Sequence, residues 1–392
     1  MSPEGSPGAG PLAGLRILEM AGIGPGPFCA MMLTDMGAEV IRIDRASGRT
    51  RSIDVDVRLD ISARGRKSIA LDLKKPQAVQ TVLRLCRQAD GLIEGFRPGV
   101  MERLGLGPQE CMAANPRLIY GRMTGWGQSG PLAQAAGHDI NYLAISGTLH
   151  LLGRADERPS PPLNLVADMG GGGLMLAFGM TCALLERARS GKGQIVDAAM
   201  VEGAALLATA IFAQKAMGWW GEERGSNLLD SGAHFYEVYV TRDGGHVAVG
   251  AIEPQFYQQL LQGLGLDPAT LPPQMERASW PQMKRRFAEL FRTRTRDEWT
   301  QVFAGRDACV SPVLTPEEAT HHPQAIARGS FARSHGVLHP CPAPRFSRSG
   351  TAQAGAPPLP GEQSEPVLRS FGFSGEEIGE LRSCGALRES TR

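Results

Sequence analysis

Leu15-Arg16-Ile17-Leu18-Glu19, Ala21-Gly22-Ile23-Gly24-Pro25-Gly26-Pro27, Phe28 to Met36 and Glu39-Val40-Ile41-Arg42-Ile43-Asp44 read as strand, turn, helix and strand. Gly37-Ala38 closes the helix. Asp44 stands about twenty positions after the glycines, the spacing of a dinucleotide fold. The turn itself argues otherwise. Pro25 and Pro27 lack the N–H donors that a phosphate-cradling loop needs. The stretch therefore predicts a Rossmann-like sheet without a nucleotide fingerprint, and an NAD- or FAD-dependent oxidoreductase is disfavoured.

The alternation continues outward. Ser68 to Lys74, Gly91 to Glu94, Leu118 to Met123 and Ile195 to Ala198 read as strands, and Pro76 to Gln88 as an amphipathic helix. Phe96-Arg97-Pro98-Gly99 turns into a helix carrying Arg103, and Gly125-Trp126-Gly127 is a glycine loop. Strands alternating with helices predict an α/β domain with a mainly parallel sheet. It spans 12–200, behind a Gly/Pro/Ser-rich lead, 1–11, expected to be disordered. The loop between Arg45 and Arg66 is dense in arginine: Arg45, Arg49, Arg51, Arg58, Arg64 and Arg66. Cations at strand ends, as Arg45, Lys74 and Arg103 would be, are placed for phosphates; solvated surface arginine is the alternative for each.

A helix from Val201 to about Lys215 and an extended crossing segment make a linker, 201–233. From His234 the pattern changes. Phe235 to Thr241 and His246 to Gly250 alternate in polarity around Asp243-Gly244-Gly245, a hairpin signal. Helices follow, giving a smaller α+β domain, 234–320. The remainder, 321–392, reads as a return segment, a proline-rich strap and a short helix packing on the large domain.

A net charge of +1 on 392 residues argues against a nucleic-acid surface or a polybasic membrane anchor. Seven scattered cysteines without a Cys-x-x-Cys pair fit a reducing compartment. The longest apolar runs, around 174–185 and 203–213, read as too short and too amphipathic to span a bilayer. With no signal-peptide pattern and no peroxisomal address at Glu389 to Arg392, a cytoplasmic location is expected.

Chemistry gathers between Gly137 and Gly173. Gly137-His138-Asp139-Ile140-Asn141-Tyr142 and Leu163-Asn164-Leu165-Val166-Ala167-Asp168-Met169, with Gly170 to Gly173, place two titratable groups beside glycine in apolar surroundings. A buried helix is expected from Leu174, with Asp168 just ahead of its start, where free N–H groups favour a carboxylate. The glycines would let a ligand lie close to the backbone. A plain reading makes Asp168 a cap, His138 a loop histidine and the glycines packing.

These segments, with Gly191 to Gln194, Asp197, Glu202 and Gly250-Ala251-Ile252-Glu253-Pro254-Gln255-Phe256-Tyr257, resemble the family III CoA-transferase superfamily from about Leu12 into the proline-rich tail. His138-Asp139 and Ile252-Glu253-Pro254 resemble its 2-methylacyl-CoA racemase branch. The resemblance implies a large Rossmann-like domain, a small α+β domain and two chains interlocked as a homodimer, each site lying between the large domain of one subunit and the small domain of the other. It implies His138 and Asp168 as the two catalytic bases and Glu253 as the histidine's partner. It implies coenzyme A contacts at Arg45, Leu71, Lys74, Arg103, Gly137 and Tyr142, and no cofactor or metal beyond the coenzyme A moiety of an acyl-CoA substrate.

The implied reaction suits these residues. A proton leaves one face of the carbon beside a thioester and another returns on the opposite face. Histidine titrates near neutrality. Asp168 would hold a proton if a dry site raised its pKa. The backbone N–H of Asp139 is the candidate donor to the enolate oxygen. Met31, Met32, Met169 and Met200 would form either a wall tolerant of varied acyl chains or ordinary core. Rival readings are a CoA transferase with Asp168 as nucleophile and a non-catalytic CoA-binding or scaffold protein.

Overall fold

The computed structural model describes residues 10–46, 56–334, 336–352 and 355–388. Residues 1–9 of the expected lead, Arg49 and Arg51 of the arginine-dense loop, and Glu389 to Arg392 lie outside them. The chain forms two compact units. Unit 1 comprises the chain up to Ser146, Leu163–Leu207 and Gly329 onward; unit 2 comprises Gly147–Pro162 and Ala208–Arg328.

Unit 1 is built on seven strands: β1 (Arg16–Met20), β2 (Glu39–Arg45), β3 (Lys67–Leu71), β4 (Gly91–Glu94), β5 (Ile119–Thr124), β6 (Gln194–Ala199) and, from the far end of the chain, β12 (Leu387–Arg388). Their order is β12-β3-β2-β1-β4-β5-β6. The first six are parallel; β12 pairs antiparallel with β3, Leu387 opposite Leu71. This is the doubly wound order that reverses between β1 and β4. Strand interiors such as Ile17, Leu18, Ile41, Ile69 and Leu92 are buried, as a sheet covered on both faces requires.

Helix α1 (Pro25–Asp35) begins three residues earlier than expected, with its prolines in the first turn. Proline is tolerated there because first-turn N–H groups have no helical acceptor. Helices α2 (Pro76–Cys86), α3 (Val100–Arg103), α4 (Pro108–Ala114) and α5 (Asp139–Ile145) follow. The larger departure comes at the glycines. Leu165–Leu174 is a π-helical segment that runs directly into α6 (Met175–Ser190), so Asp168 lies inside a helix, not ahead of one. The glycines serve packing. Gly171 and Gly203 of α7 (Met200–Leu207) meet backbone to backbone, and a Cβ at Gly173 would lie 2.7 Å from Pro25 O. Three of the four glycines are buried.

The joined helix Leu165–Ser190 is long and apolar enough, by length and composition alone, to cross a membrane, and 39% of its apolar window is buried. The π-helical turns ahead of Leu174 lengthen the apolar run beyond the 174–185 stretch. Its inner face, Leu176, Ala177, Met180, Ala183 and Leu184, is buried in unit 1.

Unit 2 carries a three-stranded antiparallel sheet of β7 (Tyr236–Val240), β8 (His246–Gly250) and β9 (Val310–Pro312), the last not foreseen. Helices α8 (Thr209–Ala216), α9 (Pro254–Leu264), α10 (Trp280–Phe291) and α11 (Arg296–Phe303) complete its main body. The expected boundaries need correction. Residues 147–162 belong with unit 2, where Arg154 pairs with the buried Glu237. Residues 208–233 also belong there and are folded, not extended. The Asn227 side chain accepts from Gly221 N and donates to the Glu223 carbonyl and to Asp230. From Gly329 the chain returns to unit 1 with a hairpin, β10 (Phe331–Ser334) and β11 (Val337–Pro340). The proline strap is pinned by Arg42 to Pro358 O and by Arg58 to Pro357 O and Glu362. Two short helices, Ser364–Ser370 and Gly375–Ser383, end the fold before β12.

Candidate active site

A cleft of about 720 Å³ opens in unit 1 beyond the carboxyl ends of β1, β2, β4 and β5. It lies where the strand order reverses, the position that doubly wound sheets favour for ligands. Its walls follow from chain order. Met20 to Pro27 leave β1, Arg45 ends β2, Ile93 and Gly95 to Pro98 leave β4, and Met123 to Trp126 leave β5. His138 and Tyr142 enter from α5, Asn164 and Asp168 from the π-helical segment.

His138 caps α5, its backbone N–H donating to Asn141 Oδ1 at 3.0 Å. Its imidazole is exposed to the cleft. Asp168 is half-buried. Desolvation first, then the negative charge of Asp139, push its carboxyl above the usual aspartate range, partly offset by a hydrogen bond from Asn164 and by His138. A carboxyl so held keeps its proton to a higher pH than free aspartate.

The link between the two groups is Asp139. Its carboxylate is buried, and Oδ2 accepts the N–H groups of Ala167 at 2.9 Å and Asp168 at 2.8 Å. The cap expected of Asp168 is thus supplied by Asp139 from another helix, satisfying first-turn donors of the π-helical segment. The Asp139 backbone N–H, at the first position of α5, makes no hydrogen bond among the described residues.

Tyr142 is a wall residue. Its hydroxyl donates to Gly137 O at 2.5 Å and its ring meets Trp126 edge-on, centroids 4.8 Å apart. Burial, then the Asp168 charge, raise its pKa.

The cleft brings together Arg45, Gly137, His138, Tyr142 and Asp168. It does not bring in the others. Lys74 and Arg103 are exposed but absent from its lining, and the Leu71 side chain is buried in the core. Glu253 caps α9 in unit 2 with its carboxylate exposed and making no capping bond. Of the four methionines expected near the site, only Met200 lines the cleft; Met20 and Met123 join it. Sequence reasoning missed Arg97, Asn164 and Trp126 as lining residues. Arg97 had one signal, a cation directly beyond a strand's carboxyl end. Among the described arginines of the dense loop, Arg58 pairs with Glu362, Arg64 with Asp35 and Arg66 with Glu19.

The profile of CoA-transferase family III matches residues 12–364. The chain belongs to CoA-transferase family III. Within this family it is 51% identical over 374 residues to the alpha-methylacyl-CoA racemase of Mus musculus, covering 95% of this chain and 96% of that one. It is 49% identical over 376 residues to the alpha-methylacyl-CoA racemase of Homo sapiens, with the same shares covered. Among solved structures, a CAIB/BAIF family protein from Brucella suis superposes with a TM-score of 0.80 at 26% identity, covering 93% of this chain and all of that one.

Proposed function

We propose that this protein interconverts (2R)- and (2S)-2-methylacyl-CoA thioesters by 1,1-proton transfer through an enolate. The observation that supports it most is His138 and Asp168 lining one cleft, with Asp168 in surroundings that favour its protonated form. In one direction the neutral imidazole takes the α-proton and protonated Asp168 delivers one to the other face. In the reverse direction the roles exchange, which requires both groups to change state within one cycle. The Asp139 N–H is the donor for the enolate oxygen. Asp139's carboxylate orients the Asp168 backbone and disfavours a second nearby charge. Arg45 and Arg97 supply cations for coenzyme A phosphates. No cofactor beyond the coenzyme A moiety is required, and the site of action is the cytoplasm.

Glu253 is proposed to orient an imidazole across a subunit interface, so the active form is a homodimer. Support comes from an apolar face left open on unit 1. Leu174, Phe178 and Leu185 lie on one side of the joined helix, with Ile195 on the edge strand β6; Phe178 is 66% and Leu185 68% exposed. Sedimentation velocity tests this: a single-chain species at micromolar concentration removes the dimer.

The function is tested by incubating one epimer of a 2-methylacyl-CoA with the protein in deuterated water, without an acceptor acid. Deuterium uptake at the α-carbon with epimerisation is expected by NMR. If neither occurs and an added carboxylic acid receives CoA, Asp168 is a nucleophile and the protein a transferase.

A further inference from the structure

We infer that Arg66, which does not itself line the cleft, is a positioning residue for Asp168; the inference rests on the racemase reading. Arg66 directly precedes β3, and its guanidinium is fully buried. Nε donates to Glu19 Oε2 at 2.6 Å, and the two terminal nitrogens donate to the carbonyls of Ser62 and Pro27. Glu19 is the next-to-last residue of β1, and Pro27 lies in the first turn of α1. Met20 to Pro27, which those two residues bracket, all line the cleft. One planar fork therefore spans both ends of the turn from behind.

The turn has little means of holding itself. It contains Gly22, Gly24 and Gly26, and its prolines have no N–H to donate. Its other side carries the π-helical segment. A Cβ at Gly24 would lie 3.7 Å from Asp168 Oδ2, and one at Gly172 would lie 3.1 Å from Pro25 Cβ. A shift of the turn therefore moves the floor on which Asp168 rests. The buried pair is a poor choice for stability alone. Burial raises the Glu19 carboxyl, and Oε1 has no hydrogen-bond partner among the described residues. Replacing such a pair by apolar side chains is commonly neutral or stabilising. What the arginine adds is direction: three donors in fixed geometry aimed at three segments. Full burial also excludes a role for Arg66 as a phosphate ligand.

The test uses the full-length protein with three variants, read by α-deuterium exchange and by steady-state kinetics. Arg66→Met with Glu19→Met removes both buried charges and keeps the volume. It is expected to fold, to lose about ten- to a hundredfold in kcat, and to keep KM within about threefold. Its pH profile shifts, because the surroundings of Asp168 change. Glu19→Gln, which leaves the carbonyl bonds of Arg66 in place, keeps kcat within about threefold. If the double variant fails to fold, Arg66→Lys gives the same reading, since one ammonium cannot span both carbonyls. Wild-type kcat and pH profile in the double variant, or in Arg66→Lys, overturn the inference. Absence of exchange in the unaltered protein overturns the racemase reading instead.

Discussion

The two units bury different chemistry. In unit 1, charges are buried at strand ends: Glu19 with Arg66, Asp44 with Arg42, and Glu94 with Arg122, the last two bonded at 2.8 and 2.9 Å. In unit 2 the core is aromatic. Phe235, Tyr239, Tyr257, Trp280, Phe287, Phe291, Trp299 and Phe303 form one cluster, with rings edge-on or stacked. Its one buried carboxylate cluster joins Glu237 to Arg154 and Lys284. The difference follows what each unit must hold. The loops of unit 1 converge on a cleft in which atoms need set directions, and charge-assisted bonds are directional. Ring packing supplies area and shape without that directional demand.

The comparison breaks first at the site. His138→Ala and Asp168→Asn should each lower racemisation by about a hundred- to ten-thousandfold while coenzyme A affinity stays within about threefold. Retained turnover in either variant removes that residue from the mechanism. Asp168→Asn should also stabilise the fold. A carboxyl raised in the folded state binds its proton there more tightly than in the unfolded chain, so stability is lost as pH rises from the ordinary aspartate value of 3.8 through the folded value. The variant lacks that loss. Urea unfolding at neutral pH should show the gain and at pH 3 should not.

Unit 2 should be sensitive to volume instead. Phe287→Ala empties the centre of the aromatic cluster and is expected to cost about 3–5 kcal/mol. Four of the five tryptophans, Trp219, Trp220, Trp280 and Trp299, belong to unit 2, so tryptophan fluorescence reports mainly on it. An unchanged fluorescence transition would show that this core does not limit stability.

The smallest effect is a pH response in that same core. His234 is buried; Nε2 is 2.8 Å from the Tyr257 hydroxyl and Nδ1 has no partner among the described residues. Desolvation lowers its pKa from 6.5 to about 4. The unfolded chain therefore takes up this proton first, and stability is lost as pH falls from 6.5 through about 4. His234→Gln should flatten that limb of the fluorescence-monitored stability curve. An equally steep limb would assign the response to other groups.

Much of this was legible along the chain because it is local. The alternation of strand and helix, the turn before α1 and the hairpin β7–β8 depend on neighbours a few residues apart. The His138 and Asp168 stretches stood out for the same reason. Other features were not legible because their partners are remote. Asp139 caps the helix start at 167–168 across a break in sequence, and the return of β12 to β3 joins the two ends of unit 1. The assignment of 147–162 to unit 2 depends on Arg154 and Glu237, which no local pattern connects. The pairing within the arginine-dense loop was hidden on the same ground: charge is visible in sequence, but whether a carboxylate waits nearby is not.

The sequence by itself determined the strand–helix rhythm of unit 1, the mixed character of unit 2 and the residue types available for proton transfer, since periodicity and side-chain chemistry are properties of short stretches. Only the tertiary structure decided the strand order that opens the cleft, the π-helical setting of Asp168 with its raised pKa, and which arginines face solvent in the cleft and which are locked behind it. Those depend on desolvation and on partners from distant segments, and these exist only once the chain has packed.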